Sequence, residues 1–201
     1  MNEPASIAPR TDRTRIRRHA ERAAPDRIEE ILAGGLVAHI ACTVDGEPRL
    51  VPFLYLYEAG RIVIHGSPGS RTLTRLGRGW RAAVSVCLLD GLVASRDAET
   101  HSANYRSVVA FGTGRRVGDT AEKRRLLERT TERYFPGRAA GRDYAPATDR
   151  QLEALEVIEI VLDEASAKVR SGPPLGARDA DPDAPGSAGV FGLDGVTPVD
   201  P

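Results

Sequence analysis

Apolar residues in this chain come in short runs separated by tight turns, the pattern of small antiparallel strands. Residues 36–43 are apolar apart from His39, Asp45-Gly46 is a strong hairpin pair, and 50–57 reads as the partner strand. Glu58-Ala59-Gly60 turns the chain into a third strand, 61–65. A fourth, 82–89, meets Asp90-Gly91, which predicts a turn into Leu92-Val93-Ala94. Residues 105–117 form a long strand holding Gly112 and Gly114, glycines that within a strand mark a bulge or bend of the kind barrels need. Residues 156–162 alternate like a half-buried strand.

Helices punctuate these strands. Segment 25–32 has proline in its first turn, acids at its N-terminal end and Gly34-Gly35 as a stop, with Ile28, Ile31 and Leu32 on the buried face. Segment 70–76 sets Leu73 and Leu76 on one face. Asp119 can cap a helix running to about Tyr134, with Glu122 at the capping-box position. A further short helix spans 147–155. There is no internal repeat. Many short strands with few helices predict a mainly β fold with flanking helices, built as a small barrel.

At 201 residues the chain is long enough for one domain with ragged ends. Residues 1–24 form a polar, Arg-rich arm without the apolar stretch of a secretory signal. Residues 25–174 form the domain. Beyond Gly172 lie six of the fourteen prolines, with much Gly, Asp and Ala, so 175–201 is expected to be a flexible tail, with Val190-Phe191 as its docking point. No apolar run approaches membrane-spanning length. A soluble cytoplasmic protein with no membrane partner is expected. The 28 basic residues balance 28 acidic ones, which argues against a nucleic-acid partner. Usage heavy in Arg, Ala and Gly suggests a GC-rich bacterial source. Cys42 and Cys87 sit in apolar runs as small hydrophobes, and no clustered ligands suggest a structural metal.

Three segments carry chemistry. His65-Gly66-Ser67-Pro68-Gly69-Ser70-Arg71 passes from strand to helix. Glycines, a hydroxyl and an arginine there read either as a phosphate cradle or as an ordinary loop with Ser70 as helix cap. Asn104-Tyr105-Arg106-Ser107 opens a strand, with Tyr105 and Ser107 on one face and Asn104 and Arg106 on the other. It holds either a ligand or only the strand entry. Lys168 and Arg170 share one face of an extended segment, as ligand contacts or as a solvated edge. Pro52 cannot donate to a ladder and so marks an edge or opening. Gly112 and Gly114 imitate a dinucleotide fingerprint, but no helix opens there. The four histidines lack metal spacing; His39 and His65 read as strand histidines. His101, beside the polar cluster, is the best candidate for an acid, base or axial ligand.

Taken together, Asn104-Tyr105-Arg106-Ser107-Val108-Val109 with Phe111-Gly112, the ending Ser166-Ala167-Lys168-Val169-Arg170-Ser171-Gly172-Pro173-Pro174, Asp90-Gly91-Leu92-Val93 and His65-Gly66-Ser67 resemble the flavin-binding split-barrel proteins related to pyridoxamine 5'-phosphate oxidase. The likeness implies a six-stranded antiparallel split β-barrel that forms a homodimer and binds FMN between subunits. It implies that Ser70 and Arg71 hold the FMN phosphate and that Pro52, Phe53, Leu54, His65 and Gly66 line the isoalloxazine. Tyr105, Arg106 and Ser107 would complete the pocket from the same or the partner chain, with Lys168 and Arg170 near ring or phosphate. His101, Arg106 and Lys168 are the catalytic candidates, and the expected partner is a small-molecule redox substrate. Two alternatives use the same barrel: a flavin carrier or sensor without turnover, and a haem protein with His101 or His39 as axial ligand, with deazaflavin a further substitute for FMN. Thr72 stands where the family often has lysine, and residues 98–103 lack its usual aromatic and paired histidines. The last residues carry neither the arginine nor the histidine of a true pyridoxamine phosphate oxidase, so a pyridoxal-making role is not expected.

Overall fold

The computed structural model describes residues 8–9 and 12–195. In chain order its elements are β1 (Ala8–Pro9), α1 (Ile28–Gly34), β2 (Val37–Val44), β3 (Glu47–Leu54), β4 (Leu56–Glu58), β5 (Arg61–Gly66), α2 (Arg71–Leu76), β6 (Arg81–Ala94), β7 (Ser102–Arg116), α3 (Thr120–Tyr134), α4 (Asp149–Ala154), β8 (Glu156–Arg170) and β9 (Gly189–Phe191). Seven strands pair in the order β3-β2-β6-β7-β8-β5-β4, all antiparallel; β1 joins β8 in parallel and β9 joins β6. The protein is therefore mainly β with flanking helices. Among the described residues no helix is long and apolar enough to cross a membrane.

The ladder does not close, but its two ends are neighbours in sequence. β3 lies at one end and β4 at the other, and Tyr55 alone separates them. Counted as one interrupted strand, β3 and β4 bring the path to the six strands of a split barrel. The interruption is held by side chains. The Tyr55 ring is fully buried and its hydroxyl donates to Leu32 O at 2.6 Å. Burial pushes that phenol up to about 12, so the proton stays available to donate. Tyr55 N, which has no ladder partner at the seam, donates to Tyr134 Oη at 2.8 Å. The same oxygen, with one proton to give, lies 2.7 Å from Leu36 O and 2.9 Å from Tyr55 O. Arg133 lies over both phenol rings, 5.1 and 5.5 Å from their centroids, and donates to Ala33 O and Gly35 O at the end of α1. Gly35 is required here: a Cβ would sit 2.3 Å from Val86 Cγ1 and 2.7 Å from Tyr55 Oη.

Inside the barrel, Ile40, Ile62, Ile64, Val84, Val86, Val108, Ile158 and Ile160 meet Ile31 and Leu32 of α1 and Leu73 and Leu76 of α2. A smaller cluster, Leu56, Val63, Val117, Leu126 and Val157, lies under α3. β7 bends at Gly112, where its pairing with β8 shifts register and a Cβ would press to 2.4 Å from Val161 O.

Three expectations are corrected. Asp90-Gly91 is not a turn: β6 runs straight through it, with Asp90 as an extra bulge residue opposite β7. The Asp90 side chain is held there by Arg106, which removes the reason for a reversal. Cys87 lies on an exposed sheet face, unlike buried Cys42. The described part of the tail is also not a loose extension. Asp179 accepts from Ser95 Oγ, Arg96 N and Gly176 N, while Arg96 donates to the Asp181 carbonyl at 2.6 Å. Val190 and Phe191 then pair with β6 as part of β9.

The seam yields a prediction. Tyr134→Phe strips the partner from a part-buried amide and should destabilise the fold by about 1–3 kcal/mol, read as a lower urea midpoint with an unchanged slope. An unaltered midpoint would mean that the seam does not depend on the phenol.

Candidate functional site

A cleft of about 630 Å³ opens where α3 overhangs the seam. One wall is Pro52, Phe53 and Leu54 of β3 with His65 of β5. The opposite wall is Leu127, Thr131 and Tyr134 of α3 followed by Phe135, and the segment around Tyr144 forms the remainder. The overhang follows from sequence. Asp119 caps α3 by accepting from Glu122 N, Leu126 anchors it on Val63 and Val157, and Lys123 Nζ donates to Leu152 O and Leu155 O at the end of α4. Thr148 and Gln151 form the capping box that starts α4.

His65 is placed by strand alternation. It shares a face of β5 with Val63 and is in register with Val157, both buried beneath α3. One pleat further along, the cover of α3 ends and the His65 ring stands in the cleft. It is accessible by area yet crowded on its concave side, and that crowding holds its pKa below the ordinary histidine value. That shift favours the neutral form of the ring. It makes no hydrogen bond to any described residue.

The next six residues follow His65 around the loop. Ser70 Oγ accepts from Leu73 N at 3.3 Å, so the hydroxyl caps α2. Arg71 is exposed and has no ion pair among the described residues. With Gly69, Thr74, Arg75 and Arg78 it borders a pocket of about 200 Å³ beside Val44 and Asp45. Arg75 is committed elsewhere, paired with Asp45 and lying 4.8 Å over Trp80. Thr72 is buried and cannot stand in for a lysine at the phosphate.

The other predicted residues lie apart from this cleft. Tyr105 and Ser107 do face opposite to Asn104 and Arg106, as alternation predicts. Arg106 binds Asp90 at 2.7 and 2.9 Å and lies 3.5 Å from Glu30, and it holds the Asp90 carboxyl below its usual range. Ser107 Oγ donates to Lys168 O at 3.3 Å. Lys168 is in register with Ser107 and bridges Ala23. Arg170 is buried, donating to Asn104 Oδ1 and Pro173 O, so it pins the strand end and is not a solvated edge cation. His101 is exposed, its Nδ1 3.3 Å from Ala98 O. His39 is exposed on β2, opposite in face to buried Ile40. Sequence reading missed the α3 wall. The aromatic pair Tyr134-Phe135 at a helix end was visible, but nothing local says which strand it will cover.

Tyr105 and Ser107 belong to a broader sheet face. Register carries that face from β7 across Cys87 and Ser85 of β6 and His39 of β2 to Pro52 of β3. Its β7–β8 half is partly covered by the N-terminal arm: Arg13 lies 5.2 Å over Phe111 and pairs with Glu164, and Ala24 N donates to Ala167 O. The rest exposes Val37, Leu50, Leu54, Leu89 and Val109.

An open antiparallel barrel, crossed at its seam by its own chain and flanked by a cleft and a loop before a short helix, defines a split-barrel protein. A profile of the pyridoxamine 5'-phosphate oxidase family matches residues 24–169, and the chain belongs to that family. It is similar to the flavocytochrome Anf3 from Azotobacter vinelandii, 32% identical with a TM-score of 0.80, covering 95% of this chain and 89% of that one. It is also similar to an FAD- and haem-binding protein from Mycobacterium smegmatis, 34% identical with a TM-score of 0.76, covering 86% and 84%. A candidate 5-nitroimidazole antibiotic resistance protein from Bacteroides thetaiotaomicron VPI-5482 shares the fold at 21% identity, with a TM-score of 0.60 over 73% and 84% of the two chains. No curated protein matches.

A lowered histidine pKa fixes a sign. The folded state takes up the His65 proton only below the ordinary value of 6.5, whereas the unfolded chain takes it up near 6.5. Stability linked to this group is thus complete above 6.5 and lost as pH falls through the folded value. The His65 ring protons should titrate with a midpoint below 6.5 by NMR, and His65→Gln should remove that component of acid sensitivity. A midpoint at or above 6.5 would contradict the crowding.

Proposed function

We propose that this protein is a flavin-binding redox protein that also carries haem. The observation that carries the reading is the largely apolar cleft at the seam, large enough for a planar ring system and lined by one imidazole, His65. The family membership and the two relatives about one-third identical support it. The residues fit both groups. Arg71, without an ion pair among the described residues, is suited to a flavin phosphate and the loop glycines let backbone approach, while the wall of Phe53 and Leu54 beside His65 is suited to haem. Bound flavin supplies one- and two-electron chemistry; the chain binds, orients and excludes water. FMN is the flavin implied by the Ser70-Arg71 pair; FAD would occupy the same loop with its pyrophosphate. His101 loses its claim as an axial ligand because its ring points to Ala98 O on the surface, and His39 because it lies on the outer sheet face. Arg106 loses its claim as a catalytic group because Asp90 already neutralises it.

The exposed sheet face fits a second copy of the chain. It is apolar, flat and continuous with Tyr105, Ser107 and Lys168, which a homodimer would bring toward the flavin of its partner. A small-molecule substrate or electron carrier would reach the cleft from its open side.

The absorption spectrum of the purified protein, as isolated and after incubation with FMN, FAD or haemin, tests the reading. Flavin bands and a Soret band should both survive gel filtration; loss of both would overturn it. Arg71→Ala should weaken flavin binding by about 10- to 100-fold, the worth of one charge-assisted phosphate contact. Light scattering should give a dimer that Val109→Asp splits. Oxidation of NADPH or NADH with several acceptors separates an enzyme from a carrier.

A further inference from the structure

We infer that His65 is the protein ligand of the haem iron, and that it ligates alone, leaving the sixth coordination position free for a small molecule. This rests on the proposed haem-binding reading. The choice is made by elimination over the strong-field donors that suit haem iron, imidazole and sulfur. The chain has four histidines, two cysteines and one methionine. Of these, His65 alone borders the cleft. His39 lies on the outer face, His101 and His19 are exposed at short helical turns, and His19 is engaged with Glu21. Cys42 is buried in the barrel core and Cys87 is on the outer face. Met1 lies outside the described residues.

The geometry suits ligation. The cleft is walled by Phe53, Leu54, Leu127 and Phe135, apolar surface that a porphyrin face would cover. His65 lies on the last rungs of β5, in register with Val157 of β8, so its backbone is held by that ladder before any ligand arrives. Its ring nitrogens have no hydrogen bond to a described residue to give up.

The facing wall cannot supply a second strong ligand. Thr130 and Thr131 donate their hydroxyls to Leu126 O and Leu127 O, and Tyr134 Oη is committed to the seam. Tyr144 and the Glu128 carboxylate remain, both weak-field oxygen donors. One imidazole opposite water or a weak oxygen ligand makes ferric haem high-spin, and the reduced form should take up carbon monoxide.

The test uses the full chain loaded with haemin, read by absorption and electron paramagnetic resonance. Wild type should show a Soret band, a high-spin ferric signal and a carbon monoxide adduct after reduction. His65→Ala should retain at least tenfold less haem after gel filtration, with the far-UV circular dichroism and thermal melting at pH 8 unchanged. His65→Gly should regain the Soret band when imidazole is added, a rescue that a merely structural role would not give. His39→Ala and His101→Ala should behave as wild type. If His65→Ala keeps haem with the wild-type spectrum, the ligand assignment is overturned while the haem reading stands. A low-spin ferric signal in wild type would overturn the open sixth position. If wild type binds flavin but no haem, the haem reading falls and the assignment with it.

Discussion

The contact between Tyr134 and Tyr55 makes the rest of this architecture possible. A barrel whose ladder does not close leaves backbone groups at the seam without partners, and a buried unpaired amide is costly. Here one phenol oxygen at the end of α3 reaches Tyr55 N and the Leu36 and Tyr55 carbonyls. The same helix end sends Arg133 to the carbonyls that finish α1. Three elements distant in sequence therefore meet at one point. α3 is drawn over the seam, and because it overhangs, it leaves a cleft.

That arrangement sorts the polar residues into two kinds. Arg106, Arg170 and Arg75 look like ligand hooks along the chain, yet each is matched by an acid, an amide or a ring in the folded protein. Arg71 and His65 look no more distinctive, yet among the described residues they have no partner at the loop and the cleft. Being exposed there, they are open to water or to a ligand, whereas the matched arginines are spent on the fold.

Much of the fold was legible because its signals are local. The Asp45-Gly46 hairpin, the Asp119 cap, the Ser70 cap and the alternation along β7 depend on a few neighbouring residues, and each is found as read. Asp90-Gly91 was misread because the dipeptide that favours a turn also serves as a bulge; the choice is made by Arg106, sixteen residues away. The Pro- and Gly-rich tail gave no sign of Asp179, whose carboxylate gathers donors from Ser95, Arg96 and Gly176. Of the candidate site, the β3 and β5 wall was legible through the family likeness. The α3 wall was not, because its position depends on a contact 79 residues apart.

The last consequence concerns β9. β6 is fourteen residues long, but β2 covers only its first part, pairing with 83–86. Beyond that, one side of β6 would present bare amides and carbonyls to solvent. β9 occupies Leu92, Val93 and Ala94 of that flank. An unpaired strand flank is a template for other strands, and proteins commonly cap or hide it. The tail thus acts as the chain's own guard against edge-to-edge aggregation.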